Sequence, residues 1–367
     1  MYASMEYTEK MNEMEVKMIF IGNNLSDKIL KWITRKNPAK CVIVTDSRVR
    51  KLIGERLFDK IKGIDTILIS FKAGEKSKTR KTKAYVEDEM LKHKCGRDTL
   101  IIALGGGVVG DLAGFVAATF MRGIPFIQIP TTLMAQADSS IGGKTSINTS
   151  AGKNLIGAFH QPSAVFIDID SLKTLDKRNF VNGLVEIVKH GLIRDRDFFN
   201  FLKENMDAIL NKNQAVMQEV LSRNVKIKAD IVASDEKEAS LRKILNFGHT
   251  IGHAVEKLSN FNLLHGEAIA IGIVAESQLA NKLGILSDKD FIEIKQIFDK
   301  MGLSTNIPKE IKTKDIMDII KIDKKARNTI PEFSLIETIG KHKTFKNGKV
   351  ACAFKESIVR EAIDEFK

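Results

Sequence analysis

With 367 residues the chain is too long for one ordinary core and is expected to fold as two domains of roughly 150–200 residues each. A hydrophobic share of 43% against a charged share of 28% is that of a globular protein and excludes intrinsic disorder, and three widely spaced cysteines (Cys41, Cys95, Cys352) exclude a disulfide framework or a thiolate zinc knuckle and point to a reducing cytoplasm. The formal net charge of +12 could steer an anionic ligand, but the lysines interleave with acids, as in KAGEKSKTRKTKAYVEDEM, which reads as a solvated surface rather than a nucleic-acid groove.

The N-terminal twenty residues lack the apolar run of a secretory signal, so the protein is expected to stay in the cell. Short apolar runs at 41–47, 65–71, 98–107, 125–132 and 163–169 each end in a polar or glycine turn and alternate with amphipathic stretches, which predicts βαβ units and a parallel sheet. The long apolar segment from Thr99 to Met121 carries Gly105, Gly106, Gly107, Gly110, Asp111 and Gly114; it reads as strand, turn and helix rather than a membrane span. Beyond Ser171 long helical periods take over. The expected fold is an α/β Rossmann-like domain over 1–172, followed by a mostly α-helical domain over 173–367.

Gly105, Gly107 and Gly110 spell GxGxxG between a strand and an apolar helix, a turn whose backbone N–H groups can approach a pyrophosphate. The acid expected at the end of the next strand of a dehydrogenase is missing. Asp46, ending an earlier strand, could take a ribose hydroxyl. In the alternative reading the glycines only allow close helix–sheet packing and Asp46 caps a helix. Residues 130–162 are too polar for a core and too regular for a linker. Gly142-Gly143-Lys144 and Gly152-Lys153-Asn154 present lysines suited to oxyanions, or form a solvated loop; the Walker A spacing is absent.

Glu186 and Lys189 share a helical face, as do His249 and His253, and His265 stands where a helix begins. One Glu and two His with an open position would suit zinc acting as a Lewis acid. Spacing alone favours His249 with His253 and leaves His265 as a capping or packing residue. The arrangement is not HExxH, and helical histidines are often structural.

Taken together, GGGVVGDLAGFVAATFMRGI, QIPTTLMAQADSSIGGKTSIN, GKNLIGAFHQP, GLVEIVKHGLI, DEKEASLRKILNFGHTIGHAVE, LLHGEAIAIG and a late DKK resemble the 3-dehydroquinate synthase family, in its order, from about residue 40 to 340. Ser150 stands where a proline is common and His190 where a tyrosine is frequent. The first dozen residues are an extension that the resemblance leaves unexplained. The resemblance implies a metal set of Glu186, His249 and His265, holding zinc or cobalt, with His253 on the substrate side. It implies NAD contacts from Asp46, Glu75, Lys76, Gly105, Gly106, Gly107, Asp111, Thr131, Thr132, Lys144, Lys153 and Thr174. For the substrate and its chemistry it points to Asp138, Lys144, Asn154, Lys189, Lys228, Glu238, Arg242, Asn246 and His253. Arg122 would serve a neighbouring subunit's site, and Lys324 or Lys325 would reach a phosphate.

The implied activity is conversion of 3-deoxy-D-arabino-heptulosonate 7-phosphate to 3-dehydroquinate and phosphate, in the shikimate pathway. Transient oxidation of a secondary alcohol acidifies the neighbouring proton, phosphate leaves, and reduction and aldol closure follow. Lys144, Lys228 and Arg242 would meet the substrate carboxylate, with Glu238 holding Arg242 from four residues away. The implied partner is a phosphorylated sugar acid, with a homodimer as the assembly and neither nucleic acid nor membrane involved. The rival readings are a related cyclase acting on another ketose phosphate, which would not need the basic carboxylate group, and a metal-dependent glycerol or alcohol dehydrogenase, which would catalyse net redox.

Overall fold

A computed structural model describes residues 5–9, 17–260, 262–325 and 331–366. They form two compact units: residues 1–180 with 214–225, and residues 181–213 with 226–367.

The first unit is built on a seven-stranded sheet. Its strands are β1 (Met5–Glu9), β2 (Lys17–Gly22), β3 (Lys40–Asp46), β4 (Asp65–Phe71), β5 (Thr99–Gly105), β6 (Phe126–Pro130) and, after a separate hairpin of β7 (Lys144–Thr149) and β8 (Gly152–Phe159), β9 (Ala164–Asp168). The order is β1-β2-β9-β6-β5-β3-β4, parallel throughout except for the β1–β2 pair. The five sequence-predicted strands are all present, with ends within two residues of those expected. Part of the unexplained N-terminal extension is β1, which pairs Met5 with Ile21 and Glu9 with Lys17 along β2.

Helices α1 (Ser26–Lys36), α2 (Ser47–Val49), α3 (Glu55–Lys60), α4 (Arg80–Lys92) and α5 (Gly107–Thr119) complete this unit. The central strands read as unbroken apolar runs because both sheet faces are covered. Cys41, Ile43, Leu100, Ile102 and Leu104 pack with Ile29, Trp32 and Ile33 of α1. Val42, Val44, Ile101 and Ala103 pack with Val86 and Met90 of α4 and with Val109, Leu112 and Val116 of α5.

From β3 the chain moves outward to β4, whereas from β5 it moves the other way to β6, so the carboxyl ends of β3 and β5 flank a topological switch point. Thr45 pairs with Leu104 there, which brings Asp46 beside Gly105. The polar run after β6, whose lysines sequence reading left between a site and a loop, is largely the β7–β8 hairpin, packed on α5 through Gly114; a Cβ on that glycine would stand 2.5 Å from Thr145 Cγ2.

The second unit is helical, as its sequence periods predict. In chain order the helices are α6 (Lys177–Arg194), α7 (Arg196–Glu204), α8 (Met206–Leu210), α9 (Gln214–Ser234), α10 (His249–Leu258), α11 (His265–Lys282), α12 (Asp288–Lys300), α13 (Thr313–Lys325) and α14 (Glu356–Asp364). A two-stranded ribbon joins β10 (Ile336–Thr338) and β11 (Lys341–His342). The division between units falls inside α6 and α9 rather than near residue 172. Asn224 Nδ2 donates to the Ala137 carbonyl at 2.8 Å and Gln218 Nε2 to that of Ile21 at 3.4 Å, bonds that hold the first half of α9 within the sheet unit. Among the described residues no helix is long and apolar enough to cross a membrane.

Charged side chains join α7, α12 and β10. Arg196 donates to Asp290 Oδ1 at 2.9 Å and to Glu293 Oε2 at 2.8 Å, and Thr338 Oγ1 donates to Asp290 Oδ2 at 2.6 Å. Burial alone would raise the Asp290 carboxyl, but the Thr338 hydroxyl and the Arg196 guanidinium outweigh it and hold the group below the usual carboxylate range. A folded-state pKa below the unfolded value gives stabilisation that is present above the unfolded value and is lost as pH falls through the folded one. Asp290→Asn is therefore expected to lower stability at neutral pH, with the gap to the parent closing as the solution is acidified below about pH 4. Urea midpoints followed from neutral to acid pH check this; a gap independent of pH would contradict it.

Candidate active site

Helix α6 is apolar around Glu186: Leu184, Val185, Ile187 and Val188 are all fully buried, and Glu186 itself is 1% exposed. A carboxylate in such surroundings requires a cation and aligned donors. Lys189, one turn on and equally buried, pairs with Glu186 Oε2 and donates to the Leu245 carbonyl at 2.7 Å. Glu186 Oε1 instead faces His249 Nε2 and His265 Nε2, each at 3.6 Å. That is too long for a hydrogen bond, and among the described residues Oε1 has no hydrogen-bond partner. Two N or O ligands about 2.0–2.1 Å from one tetrahedral ion stand roughly 3.3–3.5 Å apart, so each Nε2 stands from Oε1 at close to the spacing of two ligands of one ion.

The remaining ring nitrogens are held from behind. His249 Nδ1 lies 3.2 Å from the Phe247 carbonyl and His265 Nδ1 3.2 Å from Glu256 Oε2. Both partners are acceptors, so a proton sits on each Nδ1, and each Nε2 is turned toward Glu186. Burial would raise the Glu186 carboxyl, yet Lys189 and the two histidines hold it well below its usual range. Burial and then the Lys189 charge push His249 well below the usual imidazole value. Burial opposes charge on His265 as well, but the Glu186 and Glu256 carboxylates push it up to about 9.

The helical pair favoured by spacing and the carboxylate-centred set meet at one locus. The ring of His253 lies 5.0 Å from that of His249 and 5.6 Å from that of His265, centroid to centroid, and one nitrogen of each ring falls within a common 4.8 Å. His253 is exposed. The capping alternative for His265 fails, because it is the first residue of α11 and Glu267 takes the capping role by accepting from the Leu264 N–H at 2.8 Å.

Close helix packing sets these positions. The Glu276 carboxylate, fully buried on α11, accepts from the N–H groups of Gly248 at 2.8 Å and Ile251 at 3.1 Å and so caps α10 at His249. At the crossing of α10 with α11, a Cβ on Gly272 would stand 1.9 Å from the Gly248 carbonyl. The start of α11 is pinned to α6 by Asn182 Oδ1, which accepts from the Gly266 N–H at 2.6 Å.

A basic group lies in the same unit. Lys228 of α9 and Arg242 are both buried. Asp235 accepts from the N–H groups of Ala239 at 2.9 Å, Ser240 at 2.7 Å and Arg242 at 3.0 Å, and so folds residues 235–242 into a turn rather than a helix. The expected Glu238 to Arg242 helical spacing therefore does not exist: Glu238 sits at a left-handed φ of 58°, its Oε1 accepts from Asn246 Nδ2 at 2.7 Å, and Arg242 Nη1 donates to the Glu236 carbonyl at 2.5 Å. The side chains of Lys324 and Lys325, at the end of α13, lie outside the described residues.

In the first unit Gly105, Gly106 and Gly107 form the β5–α5 turn, where a Cβ on Gly106 would meet Thr132 Cγ2 at 3.0 Å and one on Gly107 would meet Ser139 Oγ at 3.1 Å. Gly110 serves packing instead, since a Cβ there would stand 2.5 Å from Gln128 Oε1. Asp46 does cap α2, accepting from Arg48 N at 2.8 Å and Val49 N at 3.0 Å, but both bonds fall on Oδ1. Thr131 is buried with its N–H on the Gly105 carbonyl, and Thr132 Oγ1 caps the turn at Ala135.

Lys78, which sequence reasoning did not single out, is a buried lysine of this region and pairs with both Asp111 and Asn154 Oδ1. Burial pushes the Asp111 carboxyl up in spite of Lys78. Asn154, at φ 58°, also bonds Ser146 Oγ at 3.0 Å, while Glu75 accepts from Asn148 Nδ2 at 2.7 Å. Lys76 and Lys144 are exposed and Lys153 is half-buried. Asp138 is half-buried in the π-turn Ala135–Ser139, and Thr174 and Arg122 are exposed, Arg122 with φ 69°.

A nucleotide-type glycine turn at a sheet switch point in one unit, and a carboxylate–histidine cluster in the other, define a two-unit α/β and helical enzyme plan. The 3-dehydroquinate synthase N-terminal pattern matches residues 68–182 and the C-terminal pattern residues 183–326. The 3-dehydroquinate synthase of Desulforamulus reducens is 44% identical over 337 residues, which cover 91% of this chain and 94% of that one. The chain belongs to the 3-dehydroquinate synthase family. Two solved structures share the fold at 26% identity. One is a 2-deoxy-scyllo-inosose synthase complexed with carbaglucose-6-phosphate, NAD+ and Co2+, with a TM-score of 0.90 over 99% of this chain and 100% of that one. The other is a 2-epi-5-epi-valiolone synthase from Streptomyces hygroscopicus with NAD+ and Zn2+ bound, with a TM-score of 0.87 over 98% and 99%.

Since Gly266 lies against α6, Gly266→Ala would place a Cβ 2.0 Å from the Asn182 carbonyl oxygen. The substitution is expected to cost about 1–3 kcal/mol, as overpacking does. Chemical denaturation measures it, and an unchanged midpoint would show that the α6–α11 contact is not the constraint described.

Proposed function

We propose that the chain converts 3-deoxy-D-arabino-heptulosonate 7-phosphate to 3-dehydroquinate and phosphate in the cytoplasm, as a homodimer, with NAD and a divalent ion, zinc or cobalt. The observation that carries the reading is Glu186 Oε1 standing 3.6 Å from two imidazole Nε2 atoms, in a chain of this family. Glu186, His249 and His265 would hold the ion. The glycine turn Gly105–Gly107, with Asp46, Thr131 and Thr132 around the switch point, fits a dinucleotide: a side chain there would collide with its neighbours, and Asp46 Oδ2 is not used in capping. Glu75, Lys76, Asp111, Lys144, Lys153 and Thr174 are proposed to complete the nucleotide contacts. When bound, NAD supplies reversible hydride acceptance and the ion supplies fixed positive charge beside the substrate hydroxyls.

The chain's own groups do the rest. Lys189 fixes Glu186 by taking its second oxygen. Lys228 and Arg242, already desolvated, supply positive charge for the substrate carboxylate; Asn246 and His253 orient the departing phosphate so that it can take the neighbouring proton. The dehydrogenase rival predicts net NADH formation, and the cyclase rival predicts preference for a ketose phosphate without a carboxylate.

Supplied with the heptulosonate phosphate, NAD and zinc, the enzyme is expected to release many equivalents of phosphate per NAD without accumulating NADH, and to yield 3-dehydroquinate. Stoichiometric NADH, or equal use of sedoheptulose 7-phosphate, would overturn the reading. A charge-assisted contact is worth about 1.5–3 kcal/mol, so Arg242→Lys is expected to lower kcat/KM for the acidic substrate by roughly one to two powers of ten. Parent-like kcat/KM would remove Arg242 from the carboxylate site.

A further inference from the structure

Helix α10 carries His249, His253 and Glu256 at i, i+4 and i+7, one stripe of the helix, and the third member of that stripe has no role so far. Glu256 is 6% exposed, a placement that carboxylates rarely take without a partner, and its Oε2 stands 3.2 Å from Nδ1 of His265 on the neighbouring helix. A carboxylate can only accept, so Nδ1 carries a proton, and the opposite nitrogen, Nε2, stands 3.6 Å from Glu186 Oε1.

The two histidines differ in what holds them. His249 leans on the Phe247 carbonyl, a backbone group fixed by the turn that precedes α10. His265 leans on a side chain, and its own side chain is the more open of the two, 34% exposed against 16%. The ring with more freedom to rotate is thus the one whose tautomer and aim depend on a removable group.

We propose that Glu256 is a positioning residue that fixes His265 as the Nδ1–H tautomer and aims Nε2 at the ion. The inference rests on the ligand set proposed above. Carboxylates placed behind a metal-binding imidazole typically contribute 10–100-fold in metal affinity, by orienting the ring and raising its basicity.

The test is zinc affinity of the purified protein, measured by competition with a chromophoric chelator, alongside thermal melting of the metal-free forms. Glu256→Ala is expected to bind zinc about 10–100-fold more weakly than the parent with its fold retained, and Glu256→Gln, whose carbonyl still accepts, to fall between them. A folded Glu256→Ala with parental zinc affinity would overturn the proposal. If His265→Ala in the same assay is weakened while Glu256→Ala is not, only the Glu256 role fails; if the parent binds no zinc, or His265→Ala binds as the parent does, the ligand set fails and the proposal with it. Should Glu256→Ala not fold, the Gln variant and a histidine 15N spectrum of the zinc-loaded parent decide: a protonated Nδ1 with a metal-bound Nε2 at His265 supports the role, and a protonated Nε2 rejects it.

Discussion

A carboxylate sealed inside an apolar helix is the constraint on which the second unit depends. Glu186 is surrounded in sequence by Leu184, Val185, Ile187 and Val188, so its charge cannot reach water and has to be met by groups brought to it. One oxygen is met by Lys189, which is thereby buried and tied to the Leu245 carbonyl, next to Asn246. The other faces the Nε2 atoms of two imidazoles from two further helices, each at 3.6 Å. Both imidazoles are placed by close packing, since α10 and α11 cross on glycines and Glu276 caps α10. The same geometry suits an ion, since a buried carboxylate oxygen without a hydrogen bond and two imidazole nitrogens converge there.

The first unit follows a different logic, in which backbone rather than charge makes the site. The sheet reverses its direction of growth between β3 and β5, and the glycine turn and Asp46 stand where two crossovers diverge. The glycines divide the labour: Gly106 and Gly107 keep the turn free of side chains, whereas Gly110 and Gly114 let α5 lie close against Gln128, Thr145 and Phe126. The close-packing reading of this motif holds at Gly110 and Gly114, and the nucleotide cradle is the role proposed for Gly105–Gly107. Asp46 likewise caps a helix with one oxygen, a duty compatible with a ligand on the other.

Several features were legible in sequence because they are periodic or local. The apolar runs gave the parallel strands, since a strand covered on both faces has little choice but to be apolar throughout. The helical half was legible from its longer period. The edge pairing of β1 with β2 was not, because an edge strand carries no such continuous run. That the compact units divide inside α6 and α9 has no periodic signature, since both helices are continuous in period and bonds such as Asn224 to Ala137 link the first half of α9 to the sheet unit.

At the sites, sequence alone determined which chemical groups were available and which shared a helical face: Glu186 with Lys189, and His249 with His253. It could not choose among the histidines, because the choice depends on α11 returning to α6 at Asn182 and Gly266, a contact 84 positions apart in the chain. It did not single out Lys78, which only the packed structure buries against Asp111, and it read Glu238 and Arg242 as a helical pair because the turn that Asp235 imposes has no periodic signature. Local spacing fixes what faces what within one element. Tertiary structure decided which lone pairs and charges converge, because a buried charge is satisfied by whatever the packing of distant elements brings within reach.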